Sequence, residues 1–494
     1  MNDSFYRVPE EFRSRIHFVR PRFKENIENV LLYLANACCR IEDCDCESYN
    51  QKFTNAIRYF PGNFNATEKT IANWRTETPA LFAFYKEDKE RNVTRTSQMA
   101  MFLNENQDLT QFFKLFLYSF QFPGGHLKAD ANIALIRKGV RFKPAQLILK
   151  ICMAATKIYE EKGLEKDFSL SSEELTYCVF DDSRITSGKT TPEEAAQIII
   201  ENRKMHKKYY DKSDSFIFNS KRKPRSKGDV TRYAGDILDY MVLADLMKKN
   251  DYGYYSLKEG QVTSIEAFIE DSSFFTNYDR FYTNSYIDTA DVSAQESLWY
   301  EYVEKQMNPD LFKTDVVQLF KESCDIPKIH KERIDYVLTN SQATTKDTGN
   351  IGEAIVEGHE KIRLVSAGFP ELSKRVKIVD CCGYHPGYDI DSFEGDVDQI
   401  HRYIEVKTTI SKHKIQQFDF HMSPNEWSVA ATQREHYYVY RLMLSAEEMI
   451  LYILKNPVKL YKSDKIEATP RNGMEIHFEK EKFSTTDVLV CRSN

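Results

Sequence analysis

Four residues near the C-terminal end of this 494-residue chain, Ile404-Glu405-Val406-Lys407, constrain its fold more tightly than any other stretch. Apolar and charged residues alternate there. A strand has a side-chain period of two, so Ile404 and Val406 face a core while Glu405 and Lys407 share the opposite face. A carboxylate and an ammonium side by side on an otherwise hydrophobic strand call for a reason. Asp389 upstream, in Gly387-Tyr388-Asp389-Ile390, suggests one. Two carboxylates brought together hold a hard divalent cation, and a lysine beside them acts on the water that attacks a phosphate.

The chain is too long for one core, so roughly two to four domains are expected. A hydrophobic share of 41% with 29% charged residues describes a globular protein. No apolar run approaches the roughly 18 residues that span a bilayer. Met1 to Arg20 is charged throughout and lacks the apolar segment of a secretory signal, which points to the cytoplasm and to reduced cysteines. Cys38, Cys39, Cys44 and Cys46 crowd together. Their spacing fits no zinc pattern and no pair of histidines follows, so a buried, inert cluster is expected rather than a zinc site.

The net charge of −6 argues against a protein that is basic all over, but nucleic acid needs only a local positive surface. One lies between Arg203 and Gly228. Ten basic residues there (Arg203, Lys204, Lys207, Lys208, Lys212, Lys221, Arg222, Lys223, Arg225, Lys227) face Asp211 and Asp214, a local formal charge of +8. A charged run by itself is as readily a solvated face. Of these, Arg203, Lys207, Lys208, Lys221, Arg222, Lys223, Arg225 and Lys227 are the candidate DNA contacts.

Residues 1–142 read as a helical, aromatic-rich region that would take part in recognition. Pro79 is expected to open a new segment. Leu109 to Phe122 is apolar on most sides, a buried helix ended by Pro123-Gly124-Gly125. Residues 143–290 form a second helical block, with a helix start at Ser171-Ser172-Glu173-Glu174. A helical pattern over Asp229 to Lys249 is followed by a strand-like run at Tyr252–Leu257. Helices followed by a small hairpin outline a winged helix, which lays a helix in the major groove. Residues 291–346 continue with amphipathic stretches at Leu298–Val303 and Val316–Phe320, and the polar run Asn340–Lys346 is the linker into a last domain at 347–494.

In that domain Asn350 is positioned to cap a helix with apolar positions at Ile351, Ala354, Ile355, Ile362 and Val365, stopped by Gly368 and Pro370. Strands are expected at Arg375–Cys382, around Asp389, through Glu405–Lys407, at Phe418–Met422 and at Tyr437–Leu442. Ser423-Pro424-Asn425-Glu426 is a capping-box start for the helix that carries Trp427.

With this order of elements, the blocks Gly352-Glu353, Gly387-Tyr388-Asp389-Ile390, Ile404-Glu405-Val406-Lys407, Asn425-Glu426-Trp427 and Tyr437 resemble the PD-(D/E)XK nuclease superfamily, in the branch found in bacterial restriction and defence proteins. The resemblance covers about residues 347–445. Tyr388 stands where the superfamily name has proline, a position that binds no metal. The fold implied is a multidomain chain, mainly α in its N-terminal region, followed by an α/β nuclease domain with a mixed central sheet flanked by helices.

The resemblance implies that Asp389 and Glu405 bind Mg²⁺, with the Val406 carbonyl and Glu353 as further ligands and Mn²⁺ able to substitute. Lys407 would orient the attacking water and offset charge on the phosphorane. Glu353 is equally explained by the helix dipole, which favours a carboxylate at its position. His385 and His401 are expected to be peripheral, and Asn425 and Glu426 to be capping residues. The implied function is a Mg²⁺-dependent type II restriction endonuclease that cuts double-stranded DNA at a specific sequence, as a homodimer when both strands are cut, with a cognate DNA methyltransferase as genetic partner and no membrane. The alternatives are an endonuclease for methylated bases, a DNA-binding regulator whose nuclease fold is inert, and an RNA-processing nuclease.

Overall fold

The computed structural model describes residues 4–18, 23, 26–88, 91–163, 168–312, 348–379, 385–445 and 448–486. The expected linker at 340–346 and the stretch at 316–320 lie outside them. The chain forms two compact units, each assembled from separated segments. One comprises Met1–Pro21, Thr76–Lys86 and Phe113–Phe312, the other Arg22–Arg75, Glu87–Phe112 and Lys313–Asn494.

The first unit is helical. Pro144–Glu161 has proline at its first position, where the missing N–H costs nothing, and buries Ile148, Leu149, Ile151 and Cys152. Ser171 and Glu174 cap each other's backbone in a reciprocal box, as the sequence pattern expects. The helix expected over Asp229–Lys249 runs from Lys227 to Leu243. It stops there because Asp245 takes a left-handed backbone (φ 57°), after which Met247–Lys249 and Tyr254–Leu257 pair as a hairpin. Leu170–Ser171 adds a third strand on the other side of Tyr254–Leu257. Elsewhere, the expected apolar helix is present as Leu109–Ser119, buried at all positions but Tyr118. Pro79 does not open a segment; it lies inside the helix Glu68–Phe82, within a turn of its C-terminal end.

The second unit contains helices α1 (Ile27–Arg40) and α2 (Gln98–Asn106), then α3 (Thr348–Ser366). After these come strands β1 (Lys377–Ile378), β2 (Ile390–Phe393), β3 (His401–Ser411) and β4 (Phe420–Met422), and helix α4 (Pro424–Gln433). Strands β5 (Tyr437–Ser445), β6 (Met449–Lys455), β7 (Glu467–Pro470), β8 (Met474–His477) and β9 (Thr485–Thr486) complete it.

The main sheet is mixed, in the order β9-β6-β5-β3-β2-β1. The β3–β5 pair is parallel and sets Lys407 against Arg441; β2–β3 is antiparallel and sets Ile390 against Ile404. A smaller antiparallel sheet joins β4, β8 and β7. Ile351, Ile355 and Leu364 of α3 pack with Ile390, Ile404, Tyr440 and Leu442 of the main sheet, and Val406 packs against the edge of this core. Helix α3 begins at Thr348, so Asn350 lies within its first turn rather than capping it. Cys38 and Cys39 are buried in α1, where burial pushes the Cys38 thiol up to about 12. Cys44 and Cys46 are half-buried, so burial covers two of the four cysteines of the expected cluster. No helix is long and apolar enough to cross a membrane among the described residues.

Candidate active site

Strand β3 lies inside the main sheet, flanked by β2 and β5, and its alternation divides the residues as the sequence expects. Ile404 is fully buried in the core, and Glu405 and Lys407 meet on the opposite face, 2.7 Å from Oε1 to Nζ. Asp389 stands just before β2, where its backbone N–H donates to Ile404 and its carbonyl accepts from Val379. Its Oδ2 accepts the Val406 N–H at 2.7 Å, which fixes the carboxylate beside β3. Gly387 makes this possible. Its φ is +86°, and a Cβ there would lie 2.7 Å from Val429 Cγ2, so only glycine allows the turn to pack against α4. Tyr437 locks the same turn by donating its hydroxyl to the Gly387 carbonyl at 2.8 Å.

Ligand atoms of His385, Asp389 and Glu405 lie within 4.8 Å of one another. His385 is therefore at the site rather than peripheral, but its ring is turned to donate. Its Nδ1 accepts the Gly387 N–H at 3.1 Å, which leaves the proton on Nε2, facing Asp389 Oδ1 at 3.3 Å. The metal-binding oxygens on offer are those of the two carboxylates. Glu405 is 2% exposed, and its Oε2 is buried without any hydrogen-bond partner. Burial drives its carboxyl well above the ordinary range; Lys407 opposes this, while Asp389 and Glu426 add to it. A buried carboxylate oxygen left bare is costly, and an oxygen-only pair suits Mg²⁺, so these residues fit a divalent ion.

Lys407 is held from two sides. Glu426 Oε2 lies 2.8 Å from its Nζ, opposite Glu405. Burial alone would lower the lysine pKa, but Glu405, Glu426 and Asp389 outweigh it, so Lys407 is held as a cation. Glu426 is also the capping residue that Ser423-x-x-Glu426 predicts: its Oε2 accepts the Ser423 N–H at 3.0 Å. The capping pattern accounts for a glutamate at that position and so conceals its second partner. Asn425 reaches across to donate to the His385 carbonyl at 2.9 Å. Among the described residues Glu353 lies outside the metal-capable cluster. It follows Gly352, where α3 meets β3 so closely that a Cβ would lie 1.9 Å from Thr408 Oγ1. His401 turns away to Asp391, 2.6 Å from its Nδ1.

The basic run is less uniform than its charge suggests. Arg203 is committed to Glu174, its Nε 2.6 Å and its Nη2 2.8 Å from the carboxylate oxygens. Lys227 pairs with Glu173 at 2.6 Å. Asp211 and Asp214 are taken up by Arg7 and Arg13 of the N-terminal segment. Lys208, Lys221, Arg222 and Lys223 are exposed, whereas Lys207 and Arg225 are half-buried.

Over residues 6–300 the chain belongs to the family described as restriction endonuclease BpuJI, N-terminal. Residues 352–454, which hold the whole carboxylate–lysine site, are similar to the C-terminal region of the protein NO VEIN. Among solved structures the chain resembles the BpuJ1 endonuclease binding domain, crystallised with pyrene- and phenanthrene-modified DNA. That likeness is one of fold, with 22% identity and a TM-score of 0.50, covering 60% of this chain and 99% of that one. No curated protein matches the chain.

Proposed function

We propose that this protein is a restriction-type endonuclease that hydrolyses phosphodiester bonds of double-stranded DNA at a specific sequence, with Mg²⁺ as its ion and Mn²⁺ able to replace it. The observation that carries the reading is the convergence of Asp389, Glu405 and Lys407 on one face of β3, with Glu405 Oε2 bare, in a chain of the BpuJI N-terminal family. Asp389 and Glu405 would hold the ion. When bound, such an ion polarises the scissile phosphate and lowers the pKa of a water.

Lys407 contributes as a cation. Two of its three N–H donors are spent on Glu405 and Glu426, which leaves one to orient a water or a phosphate oxygen. A lysine held protonated by three carboxylates is a poor proton acceptor, so its part is electrostatic and directional. The helix Lys227–Leu243 with its following hairpin supports the winged-helix reading of the recognition region. One site cuts one strand, so a double-strand break calls for two chains or two successive nicks.

The test uses purified Glu405→Gln and Lys407→Ala proteins on plasmid DNA with Mg²⁺. Both should lose cleavage by at least about 100-fold while retaining wild-type DNA affinity. Normal cutting by either variant would refute the assignment. Digesting methylated and unmethylated plasmid side by side separates a sequence-specific enzyme from one that requires a modified base.

A further inference from the structure

A cavity of about 440 Å³ in the first unit lies outside the carboxylate–lysine site and is lined by cations from three separate segments of the chain. Arg13 and Arg15 come from the N-terminal segment, and Lys138 closes the helix Ala129–Arg137. Arg225 precedes the helix Lys227–Leu243, and Arg232 stands on it. Asp229 is the acidic side chain in the lining. Arg13 is neutralised by Asp214, with its Nη1 3.0 Å from Oδ1. Setting Asp229 against the other four cations leaves a formal excess of three.

These cations lack the partners that buried guanidinium groups normally have. Arg15 Nη1 and Arg232 Nε are buried with no hydrogen-bond partner. Arg232 has a long contact to Asp229, 3.4 Å, and donates to the Tyr233 hydroxyl at 3.2 Å. Among the described residues Lys138 donates to the Glu11 carbonyl, at 3.0 Å. Arg225 has no ion pair among the described residues. Burial lowers the pKa of Arg15 and the charge of Arg225 lowers it further, against the opposite pull of Asp181, Tyr233 and Tyr177. A folded protein carries unpaired, mutually repelling guanidinium groups at a cost, and an anion between them relieves it. Ala131, Ala134 and Leu135 give the lining an apolar side suited to sugar carbons, and Ser14, His17 and Tyr233 complete it.

We infer that this cavity seats a phosphodiester of the DNA backbone, clamped between the N-terminal segment at Arg15 and the Arg225–Arg232 segment. The inference rests on the DNA-binding reading above and adds the place of contact. The clamp reads no sequence, because guanidinium–phosphate contacts fix position and register only. It also relocates the positive surface. Of the eight candidate contacts in the basic run, Arg225 alone lines this cavity, and the remaining cations come from outside that run.

The experiment measures anisotropy of several unrelated duplexes with the full-length protein, from about 50 to about 200 mM salt. Arg15→Gln and Arg225→Ala should each weaken binding by the same factor on every duplex. Each should also flatten the log K against log salt slope by about 0.9, which makes the affinity loss across that salt range about 3.5-fold smaller. Lys138→Ala, at the exposed rim, should show the same flattening and serves if Arg15→Gln does not fold. An unchanged slope in Arg225→Ala and Lys138→Ala overturns the proposal. A loss confined to one sequence also overturns it, since that is a base contact. Displacement of duplex by inorganic phosphate at equal phosphate concentration reduces the cavity to a free-anion site and overturns the duplex assignment. Absence of duplex binding by the wild-type protein is a different result, and sinks the DNA-binding reading itself.

Discussion

Glu426 carries two roles that a pair of substitutions can separate. Its Oε2 caps α4 by accepting the Ser423 N–H, and the same oxygen holds Lys407 Nζ at 2.8 Å. Glutamine at the third helical position still completes a capping box but cannot pair as an anion, whereas alanine removes both functions. Glu426→Gln replaces an ion pair by a hydrogen bond from the same cation to a neutral amide oxygen, a loss of about 1 kcal/mol given that Glu405 remains on Lys407. Glu426→Ala adds the lost cap, about 1 kcal/mol more, so its melting temperature should fall by a further 2–4 °C or about that. Cleavage should behave differently. With one carboxylate gone, Lys407 swings onto Glu405 alone and its free donor is misdirected, a displacement that costs about 10- to 100-fold in rate. Both variants should therefore show the same loss in single-turnover cleavage of plasmid DNA while calorimetry distinguishes them. If Glu426→Gln cuts at the wild-type rate, Glu426 is a capping residue only, and the two-sided hold on Lys407 has no catalytic meaning.

Gly387→Ala should destabilise the second unit by about 1–3 kcal/mol and abolish cleavage, because a Cβ at φ +86° would meet Val429 at 2.7 Å and displace Asp389. Chemical denaturation with a cleavage assay tests both halves, and a stable, active variant refutes the account of the turn. Asp181 concerns pH. Burial raises its carboxyl from 3.8 to about 7, against the pull of Arg15 and Arg13. The folded state thus binds more protons than the unfolded state between these values, so the first unit loses stability as pH rises through that window. Asp181→Asn should flatten the loss between pH 4 and pH 7 or thereabouts, and a stability that climbs with pH in the wild type alone would contradict it.

What the sequence shows directly is local. The alternation in Ile404–Lys407 placed two side chains on the core and two off it, and Ser423-x-x-Glu426 marked the start of α4 to the residue, because both depend on spacing along a single element. What it hides is pairing between distant segments. Asp214 looks like part of a basic run until Arg13, 201 residues away in sequence, binds it. Arg203 looks available for DNA until Glu174 claims it. His385 lies four residues before Asp389, but a proline–glycine turn intervenes, so neither helical nor strand periodicity signals their contact. Pro79 shows the converse error: the local rule that puts proline at the start of a segment fails, because the helix Glu68–Phe82 runs through it.

The same limit explains how β3 is held. Its partner in the parallel ladder is β5, and Arg441 on β5 is fully buried, with its guanidinium pKa brought down to about 9 by burial, against Asp419. Such a group needs many acceptors, and it finds two on β3 and one beyond it: Nη1 donates to the Lys407 carbonyl at 3.1 Å, Nη2 to Thr409 Oγ1, and Nε to the Phe418 carbonyl at 3.2 Å. Gln107 completes the set. Its side-chain oxygen accepts from both Arg441 and Thr409, and its backbone carbonyl accepts the Ile410 N–H at 3.2 Å. Gln107 belongs to the BpuJI N-terminal family region, nearly three hundred residues before β3 in sequence, yet it lies in the same compact unit. The strand bearing Glu405 and Lys407 is therefore fixed in part by a residue of the BpuJI N-terminal family region. Lys407, Thr409, Phe418 and Asp419 supply acceptors to the buried arginine from the C-terminal residues, and Gln107 adds a further one from a distant stretch of the same compact unit, where an unmet guanidinium donor would be costly.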